Sequence, residues 1–258
     1  MKFGFIGFGN LANAVYRGLK EVETIQFAYF THNKKNIDIL FLDQLENLVS
    51  FADIIWLTVK PQDLPQILKQ IQPLERKGKT FVSPVAGKRI NYIENYLGSE
   101  QTIIRIMPNL AIAYKKSVTA FTTNHPEDNN STYIFNILSK LGKVVKLDES
   151  GFDLFTSIFG SGPAFILAFI QIFKDKMREL NLSGDLLDEL LLELTEGTVS
   201  YFAVNQANFS IEELIKNITS KGGTTQAGLD YFRKHDIKKL FEGVLDAAKN
   251  RSSEMSAD

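Results

Sequence analysis

Two glycine-rich turns carry the residues with the clearest chemistry in this chain. The first is "FGFIGFGNLANAV", in which Gly7, Gly9 and Ala12 follow an apolar run. The second is "SKGGTTQAGL", residues 220–229, where two glycines meet two threonines. Backbone N–H groups at the start of a helix lack intrahelical partners and lie at its positive end, so they bind anions. The sequence therefore predicts an anion site at each turn.

The first turn has the spacing of a dinucleotide-binding motif. Gly7 permits the tight turn, Gly9 lets the backbone approach a pyrophosphate, and Ala12 lets helix and strand pack closely. The motif follows a predicted strand and opens a predicted helix, which is the context it requires. We predict dinucleotide binding; the alternative is a glycine turn that only joins the strand to the helix.

The end of the second predicted strand indicates which dinucleotide is bound. NAD-binding folds usually place Asp or Glu there to hold the ribose 2′-OH. Here no carboxylate occurs between Phe27 and Asn36, and the intervening donors are Thr31, His32, Asn33, Lys34 and Lys35. These donors suit a 2′-phosphate, so NADPH is the predicted cofactor, with NADH possible. The alternative is that the two lysines are only a solvated helix start.

Two later strands end in residues that fit the same crevice. Ligands of open α/β sheets bind at the carboxyl ends of the strands. "LTVKPQ" ends a strand with Lys60, which either caps the strand or contacts cofactor or substrate. "SPVAGKRI" ends the next strand in small residues, where a larger side chain would collide with a nicotinamide ring.

The second turn has two interpretations. Thr224 or Thr225 caps the helix that follows, or the two glycines expose backbone donors for a carboxylate, with a threonine hydroxyl beside them. The adjacent glycines favour the carboxylate. Upstream, "FGSGPAF" puts Pro163 in the first turn of a helix, with Ser161 as a candidate N-cap.

The elements that position these turns change type near residue 149. Strands are predicted at 2–6, 25–30, 53–59, 80–83, 102–107, 118–122 and 143–147, with helices between them such as 10–22, 63–72 and 127–141. This alternation predicts an α/β fold with a Rossmann-like, doubly wound, mostly parallel sheet over residues 1–149. Helical spacing then predicts an all-helical domain over 150–258, in which "LLDELLLEL" faces a core or an oligomer interface.

Composition excludes several function classes. The 258 residues carry a formal net charge of -1, which predicts no nucleic-acid or anionic-membrane partner. There is no cysteine and there are three histidines far apart, so no metal site is predicted. The apolar start is too short for a signal peptide or membrane span, and a cytoplasmic location is expected. The polar segment 251–258 is expected to fray.

Taken together, "VKPQ", "SPVAG", "RIMPN", "FGSGPAF" and above all "GGTTQAGL" resemble pyrroline-5-carboxylate reductase, from residue 2 to about residue 254. The resemblance implies reduction of a cyclic imine to proline by NAD(P)H, and a helical domain that forms a homodimer or a higher homo-oligomer. It implies a pyrophosphate site at Ile6, Gly7, Phe8, Gly9, Asn10 and Leu11, and a ribose or phosphate site at Thr31, His32, Asn33 and Lys34. It implies a nicotinamide site at Thr58, Val59, Lys60, Pro61, Pro84, Val85 and Ala86.

The resemblance also implies a substrate site at Gly222, Gly223, Thr224, Thr225 and Asn109. The substrate carboxylate would lie on backbone N–H groups, and the Thr225 hydroxyl would bind the ring nitrogen as the catalytic contact. No general acid is implied if the imine binds already protonated, because an iminium carbon accepts hydride directly.

The chain departs from the family pattern at three places. Leu110 and Ala111 replace the usual Thr-Pro, residues 115–117 replace Gly-Glu-Gly, and Lys221 replaces a proline. Two alternatives therefore stay open. One is a related imine or β-hydroxyacid reductase, with Lys174 or Lys176 as the catalytic lysine of the latter. The other is a regulatory protein that binds NADP(H) without turnover.

Overall fold

The computed structural model describes residues 1–22 and 24–257, with side chains described through residue 255. Contacts between residues divide the chain into two units. The first comprises Met1–Ser161 and Leu245–Asp258, and the second comprises Gly162–Val244. The domain boundary predicted from the sequence lies after residue 149, where the strands end, whereas the contacts divide the chain between Ser161 and Gly162.

The first unit contains an eight-stranded sheet. Its strands are β1 (Lys2–Ile6), β2 (Gln26–Phe30), β3 (Leu40–Phe41), β4 (Ile54–Leu57), β5 (Thr80–Ser83), β6 (Thr102–Met107), β7 (Ser117–Thr123) and β8 (Gly142–Lys146). Their order is β3-β2-β1-β4-β5-β6-β7-β8, and only the β6–β7 pair is antiparallel. The prediction of a doubly wound, mostly parallel sheet is confirmed.

Helices cover both faces of this sheet. They are α1 (Asn10–Leu19), α2 (Leu45–Phe51), α3 (Leu64–Ile71), α4 (Ile90–Leu97), α5 (Asn129–Ser139) and α6 (Phe152–Phe155). Successive strand residues point to opposite faces. Phe5 accordingly packs in the cluster that contains residues of α1 and α5, and Ile6 packs in the cluster under α2, α3 and α4. Both faces of the sheet are therefore buried.

Capping explains one difference from the predicted boundaries. The helix predicted over 127–141 begins at Asn129, because Asp128 acts as its N-cap. The Asp128 carboxylate accepts the N–H groups of Asn130 and Ser131 at 2.7 and 3.3 Å. These bonds satisfy two donors of the first turn, so the helix starts one residue after the aspartate.

The second unit is helical. It contains α7 (Gly162–Met177), α8 (Gly184–Asn205), α9 (Ile211–Ile218), α10 (Thr224–Lys234) and the start of α11 (Ile237–Ala257). In α8, Leu187 and Leu191 are buried, whereas Leu192 is 65% and Val199 62% exposed. Apolar exposure of this extent on one helix indicates a further surface that covers it.

One continuous helical run, Glu149–Leu180, is long and apolar enough to span a membrane. Only 11% of its most apolar stretch is buried in this chain. Such a run also occurs in soluble assemblies whose subunits cover one another, so composition alone does not identify its environment.

The prediction that residues 251–258 fray is wrong for the part with described side chains. Helix α11 continues through this segment, and Ser252 is 4% exposed. Its hydroxyl lies 2.6 Å from the Asp153 carboxylate. Composition predicts a solvated tail, whereas the fold supplies this serine with a half-buried acceptor.

Candidate functional site

The turn after β1 is held against the end of β4. Gly7 has a φ of +84°, and a Cβ at this position would lie 2.8 Å from the carbonyl oxygen of Thr58. The Thr58 hydroxyl donates to the carbonyl oxygens of Gly7 and Ile6 at 2.7 and 3.2 Å. Glycine is therefore required here by the fold itself.

Gly9 is a glycine for a different reason. It is the N-cap of α1 at a φ of -89°, and no side chain caps the helix. A Cβ on Gly9 would meet no atom within 4 Å. The first intrahelical bond joins the N–H of Asn13 to the Gly9 carbonyl at 3.0 Å, which leaves earlier N–H groups of the turn to an outside acceptor. The fold leaves room for a side chain at Gly9, so packing within the protein does not require a glycine at this position.

A cavity of about 390 Å³ opens beside this turn. Ten residues of its lining are predicted cofactor residues: Ile6, Gly7, Phe8, Gly9, Thr31, His32, Asn33, Thr58, Val59 and Lys60. The lining also includes residues that the sequence did not single out for this role, such as Asp63, Gln66 and Gln70 of the α3 region. The glycine motif after β1 does not predict these three residues, because they belong to the connection that follows β4. Seven of the described cofactor candidates fall outside this lining: Asn10, Leu11, Lys34, Pro61, Pro84, Val85 and Ala86.

The loop after β2 presents Lys35 to the cavity. The N–H of Lys35 donates to the Tyr29 hydroxyl at 2.9 Å, and that hydroxyl lies 3.3 Å from the Lys35 carbonyl oxygen. The Thr31 hydroxyl donates to the Asn33 carbonyl at 2.6 Å. Lys35 lines the cavity in place of its predicted neighbour Lys34. Buried Tyr29 thus fixes which of the two lysines faces the site.

The loop after β5 is the other predicted cofactor segment. Pro84 and Val85 are buried and Ala86 is half-buried. Lys88 is only 5% exposed, and its ammonium lies 4.6 Å from the centre of the Tyr92 ring. Burial raises the pKa of Tyr92 to about 12, so that ring stays neutral beside the cation. The loop after β5 is therefore closely packed at the carboxyl end of the sheet.

Asn109, predicted to bind substrate, makes structural contacts. Its side-chain oxygen accepts the N–H of Ala111 at 3.0 Å and caps the 3-10 turn Leu110–Tyr114. Its side-chain nitrogen donates to the Phe159 carbonyl at 2.9 Å. The amide therefore joins this turn to the π-helical segment Thr156–Gly160.

The second glycine turn lies in the helical unit, at the start of α10. Gly222 has a φ of +73°, and a Cβ on Gly223 would lie 2.3 Å from the Ser220 hydroxyl oxygen. Gly223 is the N-cap and no side chain caps the helix, so the interpretation of Thr224 or Thr225 as caps is wrong. Both threonines are exposed. The N–H groups of Gly222 and Gly223 already donate to the Gln226 side chain and the Ser220 carbonyl at 2.8 and 3.0 Å. The N–H groups of Thr224 and Thr225 with the two hydroxyls remain as a donor set suited to a carboxylate.

Comparisons with known proteins match both halves of the chain. A family model described as pyrroline-5-carboxylate reductase dimerisation matches residues 149–255. A model described as NADP oxidoreductase coenzyme F420-dependent matches residues 2–87.

Relatives and solved structures agree over the full length. The pyrroline-5-carboxylate reductase of Staphylococcus haemolyticus is 36% identical over 99% of this chain and 98% of its own. A pyrroline carboxylate reductase of Plasmodium falciparum, solved with NADP bound, has a TM-score of 0.92 at 28% identity, covering 99% and 98% of the two chains. The enzyme from Streptococcus pyogenes superposes with a TM-score of 0.89 at 24% identity and 98% coverage of both chains, which shows the shared fold.

Proposed function

The chain belongs to the pyrroline-5-carboxylate reductase family, and we propose that it reduces 1-pyrroline-5-carboxylate to L-proline with NADPH. It is an oxidoreductase of proline biosynthesis that acts on a carbon–nitrogen double bond. The observation that carries this proposal is the open turn at Gly9, which the fold leaves empty beside a cavity and an uncapped helix.

The first unit supplies the cofactor site. The N–H groups at the start of α1 hold the pyrophosphate, and Lys35 with Thr31, His32 and Asn33 holds the ribose 2′-phosphate. The segment from Thr58 to Lys60 and the loop after β5 border the nicotinamide ring. When bound, NADPH supplies the hydride. These residues orient it and exclude water from one side.

The second glycine turn supplies the substrate contacts. The backbone N–H groups of Thr224 and Thr225 donate to the carboxylate beside Gly223, whose own N–H donates to the Ser220 carbonyl at 3.0 Å, and the Thr225 hydroxyl hydrogen-bonds the ring nitrogen. The substrate binds as the iminium, so its carbon takes the hydride and the nitrogen becomes the amine of proline without a protein acid. Asn109, which is predicted to contact the substrate, also holds the turn at Leu110 through its bonds to Ala111 and Phe159.

The helical unit pairs with a second copy of the chain. Its exposed apolar side chains include Leu167, Leu192, Val199 and Val204, between 62% and 77% exposed. These exposures support a homodimer or a higher homo-oligomer. Leu167 belongs to the run of membrane length, so in a cytoplasmic protein a partner chain rather than lipid would cover that run.

The assembly is tested with the variant Leu192→Asp/Val199→Asp. These residues are seven apart on α8 and share one face. We expect sedimentation to give the mass of one chain for this variant and at least twice that for the wild type. Glu193→Gln, an exposed change on the same helix but off this face, should keep the wild-type mass. A wild-type protein that sediments as a single chain would contradict the dimer.

The reaction is tested by tracing the hydride. NADPH with deuterium at the transferred position is mixed with protein and 1-pyrroline-5-carboxylate. We expect mass spectrometry to detect proline with one deuterium on the former imine carbon. NADPH binding without any labelled proline would instead favour a regulatory protein.

A further inference from the structure

The end of α11 touches the loop that follows β5. Gly87 has a φ of +73°, and a Cβ at this position would lie 2.6 Å from the Cβ of Met255 and 2.8 Å from its carbonyl carbon. Only glycine permits this approach. The helix backbone at Met255 therefore lies directly against the loop, and a shift of either would open the contact.

The same helix end is bound to α6. The hydroxyls of Ser252 and Ser253 donate to the two carboxylate oxygens of Asp153 at 2.6 and 3.0 Å. Hydrogen bonds to a charged acceptor are the stronger class. Ser252 is 4% exposed and its bond is partly buried, whereas the bond from Ser253 is exposed. The pair of bonds fixes the position of α11 along its axis.

Helix α6 in turn contacts the loop. Phe152 and Phe155 belong to a small buried cluster, against which Ala86 packs. The end of α11 therefore reaches adjacent loop residues by two routes: directly at Gly87, and through Asp153 and the two phenylalanines at Ala86.

A third contact holds the beginning of this segment. The hydroxyl of Ser157, which is fully buried, donates to the carbonyl of Leu245 at 2.7 Å. Leu245 is the residue at which the chain re-enters the first unit. Residues 245–255 are thus attached to the first unit at both ends, and we name this segment the brace.

We propose that the brace positions the loop of residues 84–87 for hydride transfer, with Ser252, Ser253 and Asp153 as positioning residues. This inference rests on the proposed function, in which that loop borders the nicotinamide ring. A loop that is released would still allow the pyrophosphate and ribose to bind at Gly9 and Lys35, while the reacting carbons lose their alignment. The brace therefore affects turnover more than cofactor affinity.

The kinetic test uses the full chain with Ser252→Ala/Ser253→Ala. We expect kcat to fall about tenfold, since small misplacement of reacting groups is costly. The Kd for NADPH should stay within about twofold, and the deuterium isotope effect on kcat should rise because hydride transfer becomes slower. The control is Glu254→Gln, on the same turn of the helix. Glu254 is exposed, and among the described residues its ion pair is with the exposed Arg251. This variant should match the wild type.

The structural test is amide hydrogen exchange of residues 84–90 in the same variants. We expect faster exchange in the double serine variant and no change in Glu254→Gln. Unchanged exchange, or a loss of NADPH affinity equal to the loss of kcat, overturns the brace. An inactive wild type overturns the proposed function together with the role of the brace, whereas an active wild type with an equally active double variant overturns the brace alone.

Discussion

The two glycine turns have similar backbone conformations but different surroundings. Each ends in a glycine N-cap, Gly9 or Gly223, and neither helix is capped by a side chain. Each also has a glycine at positive φ, Gly7 or Gly222. The first turn lies beside a cavity of about 390 Å³ within its own unit. The second presents exposed threonines.

This difference shows which of the two turns is enclosed by residues of its own unit. The sheet brings the ends of β1, β2 and β4 together, so residues of several elements surround the turn at Gly9. Helix α10 offers its donors with no buried residue in its length. We therefore expect changes at the first turn to alter the affinity for NADPH. We expect changes at the second turn to alter turnover of the imine instead.

The variant Gly9→Val should have the largest effect. Its side chain enters the space meant for the pyrophosphate, so we expect NADPH affinity to fall by at least about 100-fold. Because a Cβ there meets no protein atom within 4 Å, the free energy of unfolding should fall only by the cost of replacing a glycine N-cap, about 1 kcal/mol. Calorimetric titration and thermal melts check the two parts.

Gly7→Ala is the matched comparison. Its Cβ collides with the Thr58 backbone at a positive φ, so we expect a loss of roughly 1–3 kcal/mol or more in the free energy of unfolding. If Gly9→Val melted early and still bound NADPH, the separation between a fold glycine and a ligand glycine would be wrong.

The variant Thr225→Ala should act on the second turn alone. Removing a hydrogen bond to a charged partner should lower kcat/KM for the imine by about 10- to 100-fold, with NADPH affinity unchanged. Thr224→Ala keeps the backbone donors, so it should remain within about threefold of the wild type. Equal losses of turnover and cofactor affinity in Thr225→Ala would remove its assigned role.

Charge reversal in the loop after β2 should have a moderate effect. The sequence predicts that Lys34→Glu shifts preference from NADPH toward NADH. The structure makes Lys35→Glu the stronger variant, because Lys35 lines the cavity. We expect the ratio of kcat/KM for NADPH over NADH to fall about tenfold for Lys35→Glu and less for Lys34→Glu, more strongly at low salt. An unchanged ratio in both variants would mean that other residues hold the 2′-phosphate.

The smallest effect concerns a departure from the family pattern. Lys115 replaces a usual glycine and holds a φ of +59°, a conformation that costs a non-glycine residue free energy. Lys115→Gly should stabilise the protein by about 1 kcal/mol, less a small loss from the exposed ion pair with Glu21.

A thermal melt should then rise by about 2–4 °C. Lys116, which is not among the positive-φ residues, provides the control: Lys116→Gly should lower Tm. A rise in both variants, or in neither, would mean that backbone strain at residue 115 does not limit stability.

The sequence alone predicted the elements that have strong local signals. The strand of residues 2–6 and the turn at Gly7 and Gly9 follow from apolar runs and glycine spacing, and the structure has both. The shift to helices after residue 149 follows from a change of hydrophobic period. Such patterns are properties of neighbouring residues, so they can be read without the fold.

Other features depend on contacts between distant residues and escaped prediction. The choice of Lys35 over Lys34 depends on the Tyr29 hydroxyl, and the burial of Ser252 depends on Asp153, 99 residues away. The expected threonine caps at α10 are absent because the helix already begins at Thr224, so that Gly223 holds the N-cap position. Patterns among neighbouring residues in the sequence do not encode such contacts.

The most direct test of the account is steady-state turnover by the purified wild-type protein. NADPH and 1-pyrroline-5-carboxylate are mixed with the protein, nicotinamide absorbance is followed, proline is measured, and NADH is run as a parallel arm. We expect rapid oxidation with one proline formed per NADPH consumed, and a higher kcat/KM with NADPH than with NADH. Tight binding of NADPH with no oxidation and no proline would contradict the proposed reaction.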